Sequence, residues 1–121
     1  MLVKERRELE KEKDQICDDV SFHVQLLMNM IDMNQYPFTK LIIERQLTQT
    51  EYNEIFNLLT NLDKTFQLQK EQGLLNFSSL LIHFAGMLNE KLSPTETIIA
   101  LINEGLFVNL MNEFLYIMEQ N

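Results

Sequence analysis

The segment Phe84-Ala85-Gly86-Met87-Leu88-Asn89-Glu90-Lys91-Leu92-Ser93-Pro94-Thr95-Glu96 constrains the fold more than any other, because one helix must end in it and another must begin. Ser93 has the chemistry of an N-cap, and Pro94 suits the first helical position, where a missing N–H does no harm. Glu96 stands where a capping box places its returning carboxylate. Gly86 lies inside the preceding apolar run, where Gly lowers helix stability by about 1 kcal/mol relative to Ala. That cost predicts a neighbouring helix crossing close to the backbone at Ala85-Gly86; the plain alternative is a Gly tolerated near a helix end.

The rest of the chain is helical in pattern. It has only three Gly and two Pro in 121 residues, all at predicted element ends except Gly86, and no strand alternation competes. The prediction is an all-α, multihelical bundle of about six helices in a single domain, 1–121. A long first helix runs from Val3 to Met33. Its opening, residues 4–14, interleaves acids and bases with almost nothing to bury. Its later part sets Ile16, Val20, Val24, Leu27 and Ile31 on one stripe, with Phe22, Leu26, Met30 and Met33 beside it, and this half is expected to join the core. About 28 residues of helix span roughly 42 Å, more than the roughly 35 Å width of a compact domain of this length. Residues 1–15 are therefore expected to project or fray, and 16–121 to form the helical core. Leu2, Leu9 and Ile16 recur every seven residues, but Arg6 and Lys13 hold the alternate positions, so a solvated helix is the preferred reading there.

Tyr36-Pro37-Phe38 opens a short second helix that stops around Leu47 and turns Phe38, Leu41 and Ile42 inward. Thr48-Gln49-Thr50-Glu51 reads as a capping box for a long third helix, with Tyr52, Ile55, Leu59, Leu62 and Phe66 buried and Gly73 as its left-handed terminator. Asn76 caps a fourth helix that uses Phe77, Leu80, Leu81, Phe84 and Leu88, and Gly105 separates a fifth, Pro94 to Glu104, from a sixth. The sixth carries two apolar stripes: Phe107, Leu110, Phe114 and Ile117, and one position round, Val108, Met111, Leu115 and Met118. A bundle of this size has little room for a surrounded helix, so the stripes predict a self-associating surface, with a central helix in a monomer as the alternative. Val108, Met111, Leu115 and Met118, with Phe22, Leu26 and Met30 on the first helix, form the candidate interface of a homo-oligomer, a dimer being favoured.

Charge and motif narrow the function. A net charge of −8, with no Lys or Arg after Lys91, argues against a nucleic-acid partner. An acidic surface permits an unidentified protein partner but does not specify one. No apolar run reaches the length of a membrane span, since Ser78, Ser79 and His83 interrupt the longest. Cys17 is the single cysteine, which excludes an internal disulfide, and the charged N-terminus does not read as a signal peptide, so a cytoplasmic setting is expected. Phosphate-loop, zinc and nucleophile-elbow motifs are missing, and no cofactor, metal site or catalytic residue is predicted. Cys17 precedes Asp18 and Asp19, whose charge disfavours a thiolate. Four residues make a polar candidate site. Asp19 lies four residues before His23 and can orient its imidazole, though an ordinary solvated pair is the simpler reading. His83 shares a side of its helix with Ser79 and Glu90, and Glu90 and Lys91 occupy the connection before Ser93. Met28, Met30 and Met33 are read as core filler rather than as a plastic groove.

Tyr36-Pro37-Phe38, Gln72-Gly73, Phe77, Leu80-Leu81, Phe84-Ala85-Gly86, Leu88 to Leu92, Glu96-Thr97-Ile98, Ala100-Leu101, Gly105-Leu106 and Leu110-Met111, in this order, resemble the YhaI-like family of small bacterial proteins. The likeness covers about Phe22 to Met118 and is most distinctive between Phe84 and Ile98. It implies an all-helical fold, a bacterial cytosolic setting and a self-associated oligomer, and it implies no activity. The charged segment before Phe22 is longer than the family pattern, and Met87 stands where Gln is expected. The function expected from these observations is a noncatalytic helical protein-protein interaction or structural module acting as a homo-oligomer. The alternative is a small-molecule-binding regulatory protein or enzyme with a pocket between Phe- and Met-rich helices.

Overall fold

In a computed structural model, the backbone is described for residues 2–120 and the side chains for residues 16–120. Among these residues there are six helices and no strand: α1 (Leu2–Met30), α2 (Pro37–Glu44), α3 (Gln49–Glu71), α4 (Ser78–Met87), α5 (Pro94–Glu104) and α6 (Val108–Gln120), with one 3₁₀ turn at Met33–Gln35. The all-helical class predicted from periodicity is the one observed. The chain forms two compact units, Met1–Met33 and Asn34–Asn121.

The first unit is α1. Ile16, Val20, Val24, Leu27 and Ile31, expected to face a core, are all exposed, as are Phe22, Leu26 and Met30, from 44% for Val24 to 82% for Met30. A lone helix has no second element in its own unit against which to bury a stripe.

The second unit holds the core, built from Phe38 on α2 to Phe114 on α6. Helix starts and stops follow local chemistry. Pro37 opens α2, Thr48 and Glu51 form the predicted capping box on α3, and Pro94 opens α5. Gly73 (φ +83°) closes α3 with Gly73 N–H donating to Lys70 O and Leu74 N–H to Gln69 O, the paired bonds that left-handed termination requires. Gly105 (φ +80°) closes α5 in the same way, through Ile102 O and Leu101 O. At the end of α2 the left-handed residue is Gln46 (φ +56°), a conformation about 1 kcal/mol less favourable for a residue with a Cβ. The N-cap of α4 is Phe77 and not the predicted Asn76, whose Oδ1 accepts from Ser78 N–H at 2.9 Å one residue further out.

Packing places α5 against α2 and α6, and α4 against α3 and α6. On α3, Ile55, Leu59, Leu62 and Phe66 are buried at the predicted spacing, while Tyr52 is half-buried. On α6, Leu110, Met111 and Phe114 are fully buried, and Phe107, Leu115, Ile117 and Met118 pack half-buried against the core. Both apolar stripes of α6 are therefore largely covered within this unit. The central-helix alternative describes it, and Met111 is a core residue, not an exposed interface one.

Two expectations about the α4–α5 segment are corrected. Ser93 precedes Pro94 at the start of α5, but its hydroxyl makes no capping bond; Glu96 pairs instead with Arg45 at 3.3 Å. Among the described residues, nothing lies within 4 Å of where a Cβ at Gly86 would stand, so the predicted close crossing is not observed there. Phe84, two residues earlier, is fully buried against Phe114, with ring centroids 5.4 Å apart. Urea unfolding of the full chain should therefore show Phe84→Ala less stable by about 3–5 kcal/mol and Gly86→Ala more stable by about 0.5–1 kcal/mol. A loss of stability in Gly86→Ala would reveal a neighbour at that face.

Candidate functional site

The carboxylate of Glu51 gathers three side-chain and backbone donors in the second unit. The capping box holds it first: Thr48 N–H donates to Glu51 Oε1 at 2.9 Å, while Thr48 Oγ1 accepts from Glu51 N–H at 3.2 Å. The connection between α4 and α5 then supplies two more donors. Lys91 Nζ lies 2.7 Å from Oε1, and Asn89 Nδ2 donates to Oε2 at 2.9 Å. Asn89 also fixes the lysine, because its Oδ1 accepts from Lys91 N–H at 2.9 Å. The ammonium completes the cluster with a 3.3 Å bond to the carbonyl of Gln46, the left-handed residue that ends α2.

These donors stabilise the ionised form. The Lys91 hydrogen bond, then the Thr48 N–H and Asn89, hold the Glu51 carboxyl down from its ordinary 4.5 to about 2. A carboxylate this weakly basic and this fully engaged is poorly suited to abstract a proton near neutral pH. Beside it lies a cavity of about 60 Å³, bordered by Glu54, Ile55, Leu58 and Met87. Ligand sites for small molecules run to roughly 300–1,000 Å³. The arrangement works as a clamp, tying the α2–α3 turn to the α4–α5 connection across about 40 residues of sequence.

Two further carboxylates do related work between α5 and α2. Glu104 accepts Thr39 N–H at 2.9 Å on one oxygen and Thr39 Oγ1 at 3.0 Å on the other. Tyr36, at the N-cap of α2, provides no side-chain bond, so the cap comes from a residue 65 positions away, at the end of α5. The Glu96–Arg45 pair is exposed and contributes less.

The four polar candidates from sequence do not form one site. Lys91 belongs to the Glu51 clamp, whereas Glu90, between Asn89 and Lys91 in the same connection, is exposed, and His83 is exposed on α4. His23 is exposed on α1, with its ring 5.9 Å from that of Phe22. Of the interface candidates, Phe22, Leu26 and Met30 are exposed on α1, Val108, Leu115 and Met118 are half-buried on α6, and Met111 is enclosed. Among the described residues no group of three or more His, Cys, Asp or Glu is placed to hold a metal ion. No described helix is long and apolar enough to cross a membrane. A second opening, about 260 Å³, separates the start of α4 from the C-terminal half of α6, but Asn76 at its edge is already committed to Ser78 N–H. Sequence reading found Glu51 as a capping residue and Lys91 as a loop lysine; their pairing has no periodic signature.

The lowered Glu51 pKa sets a pH window. Because protonation is easier in the unfolded chain, the clamp's stabilisation is complete above about 4.5 and is lost as the pH falls towards about 2. Melting temperature should fall more steeply between pH 5 and pH 2 in the wild type than in Glu51→Gln, and the variant should melt lower at pH 7. In an NMR titration, Lys91→Met should move the Glu51 carboxyl up towards its ordinary range; an unmoved titration would remove Lys91 as the main cause.

Residues 9–119 match a family model described as a protein of unknown function, DUF1878. That span takes in α2 to α5 whole, with the Glu51, Glu96 and Glu104 contacts, about three quarters of α1 and nearly all of α6. The chain belongs to the DUF1878 family.

Proposed function

We propose that this protein is a noncatalytic helical module that acts by self-association, and that α1 is its interface. The observation that carries the proposal is the exposure of eight large apolar residues between Ile16 and Ile31. At roughly 180 Å² per fully exposed side chain, the five on one stripe, Ile16, Val20, Val24, Leu27 and Ile31, leave about 480 Å² uncovered. Scattered exposed apolar residues are ordinary on a protein surface, but a concentration of this size on one amphipathic helix is the mark of a contact surface. A second copy is the occupant that brings an equal apolar area with no further assumption about composition. The polar clusters agree with a noncatalytic role: the Glu51 carboxylate is saturated by donors, and Glu104 is engaged as a helix cap. A cytosolic bacterial setting, as the YhaI-like resemblance implies, belongs to the same proposal.

Light scattering at micromolar concentration tests this reading. The wild type should show twice its 14.4 kDa chain mass, and Val24→Glu with Leu27→Glu should return it to the single-chain mass while leaving the helical spectrum of the second unit intact. A monomeric wild type, or a dimer that survives both substitutions, would overturn the proposal.

A further inference from the structure

We infer that the opening between the start of α4 and the C-terminal half of α6 receives an arginine side chain from a partner protein. This goes beyond self-association and does not depend on α1. The opening measures about 260 Å³, just below the roughly 300 Å³ at which small-molecule sites begin, a size suited to one long side chain. Its lining offers three kinds of surface. Phe77 and Ile117 supply apolar contact, the first buried and the second half-buried. Tyr116 presents a ring that is 58% exposed. Glu113, half-buried, is the single charged group among the lining residues.

The carboxylate selects a cation. Glu51, Glu96 and Glu104 are all engaged, but among the described residues no hydrogen bond or ion pair reaches Glu113. No Lys or Arg follows Lys91, so none lies on α5 or α6. Lys70, near the end of α3, is placed over the ring of Phe66, 5.1 Å from its centroid, and forms no ion pair with Glu113. At the start of α4 the Ser78 N–H is taken by Asn76 Oδ1. A carboxylate partly withdrawn from water without a counter-charge is stabilised by any cation that reaches it.

Arginine meets all three surfaces together. Its planar fork donates two N–H groups to a carboxylate, its delocalised face stacks on an aromatic ring, and its methylene stem covers apolar surface. An ammonium is a point charge with a tighter hydration shell and meets the ring and the carboxylate less well. Leu75, also lining the opening, is 90% exposed and gives an apolar residue beside the arginine something to cover, which is why the source is a polypeptide. The net charge of −8 favours the approach of a basic segment.

An NMR titration of the full chain tests the assignment with three probes: acetyl-arginine amide, its neutral isostere acetyl-citrulline amide, and a capped Leu-Arg-Leu peptide. The arginine amide should bind at millimolar concentration and shift the amides of Ser78, Glu113 and Tyr116, and the citrulline amide should not. Glu113→Gln should weaken binding at least about fivefold, and Tyr116→Leu, which replaces an exposed ring, about threefold. The Leu-Arg-Leu peptide should bind more tightly than the single residue. Absence of shifts at the cleft, citrulline binding as well as arginine, or unchanged affinity in either variant overturns the arginine site. A peptide that binds no tighter than the arginine amide overturns the polypeptide source. The chain's mass in light scattering has no bearing on either outcome, so self-association and this site stand or fall separately.

Discussion

Two apolar stripes on α6 have to be covered together, and the arrangement of the second unit follows from that requirement. Leu110, Met111 and Phe114 reach full burial only because α5 packs against α6 and α4 also contacts it. The α5–α6 connection is tight enough to allow this. Gly105 turns the chain in the left-handed region and Phe107 follows in the same region (φ +50°), its ring 6.1 Å from Phe56 on α3. Backbone strain at a bulky residue persists where surrounding packing over-determines it, and the Phe56 contact is part of that packing. Phe56 also lies 5.9 Å from Phe38 in an edge arrangement, so one ring links α2, α3 and the start of α6. Each such aromatic contact adds about 0.5–1.5 kcal/mol beyond the area it buries.

Carboxylates then fix helix ends that hydrophobic packing alone leaves adjustable. Burial is non-directional, whereas a carboxylate bonded to a backbone N–H specifies one position of one turn. Glu104 does this for the start of α2, and Glu51 does it for the start of α3 while reaching Asn89 and Lys91 before α5. These are the arrangements in which polar groups give a fold its register. They leave the carboxylates occupied, and an occupied carboxylate with its pKa held near 2 has little proton chemistry to offer at pH 7.

What sequence discloses about this fold divides by distance. The capping box at Thr48, the terminations at Gly73 and Gly105, and the openings at Pro37 and Pro94 are legible because each is settled within five residues. Ile55 to Phe66 are legible because a single period covers them. Ser93 and Glu96 carry the same local pattern as Thr48 and Glu51, yet Arg45, from 51 residues away, takes the second carboxylate. Gly86 misleads for a related reason: its residue type reports a tolerance for close approach, and whether anything approaches is decided by other helices. Periodicity measures how much of α1 or α6 is apolar and is silent about which neighbour provides cover. Hence stripes of similar appearance end in opposite places, enclosed on α6 and exposed on α1. The Glu51–Lys91 clamp was half legible for the same reason, with each residue singled out and their meeting invisible.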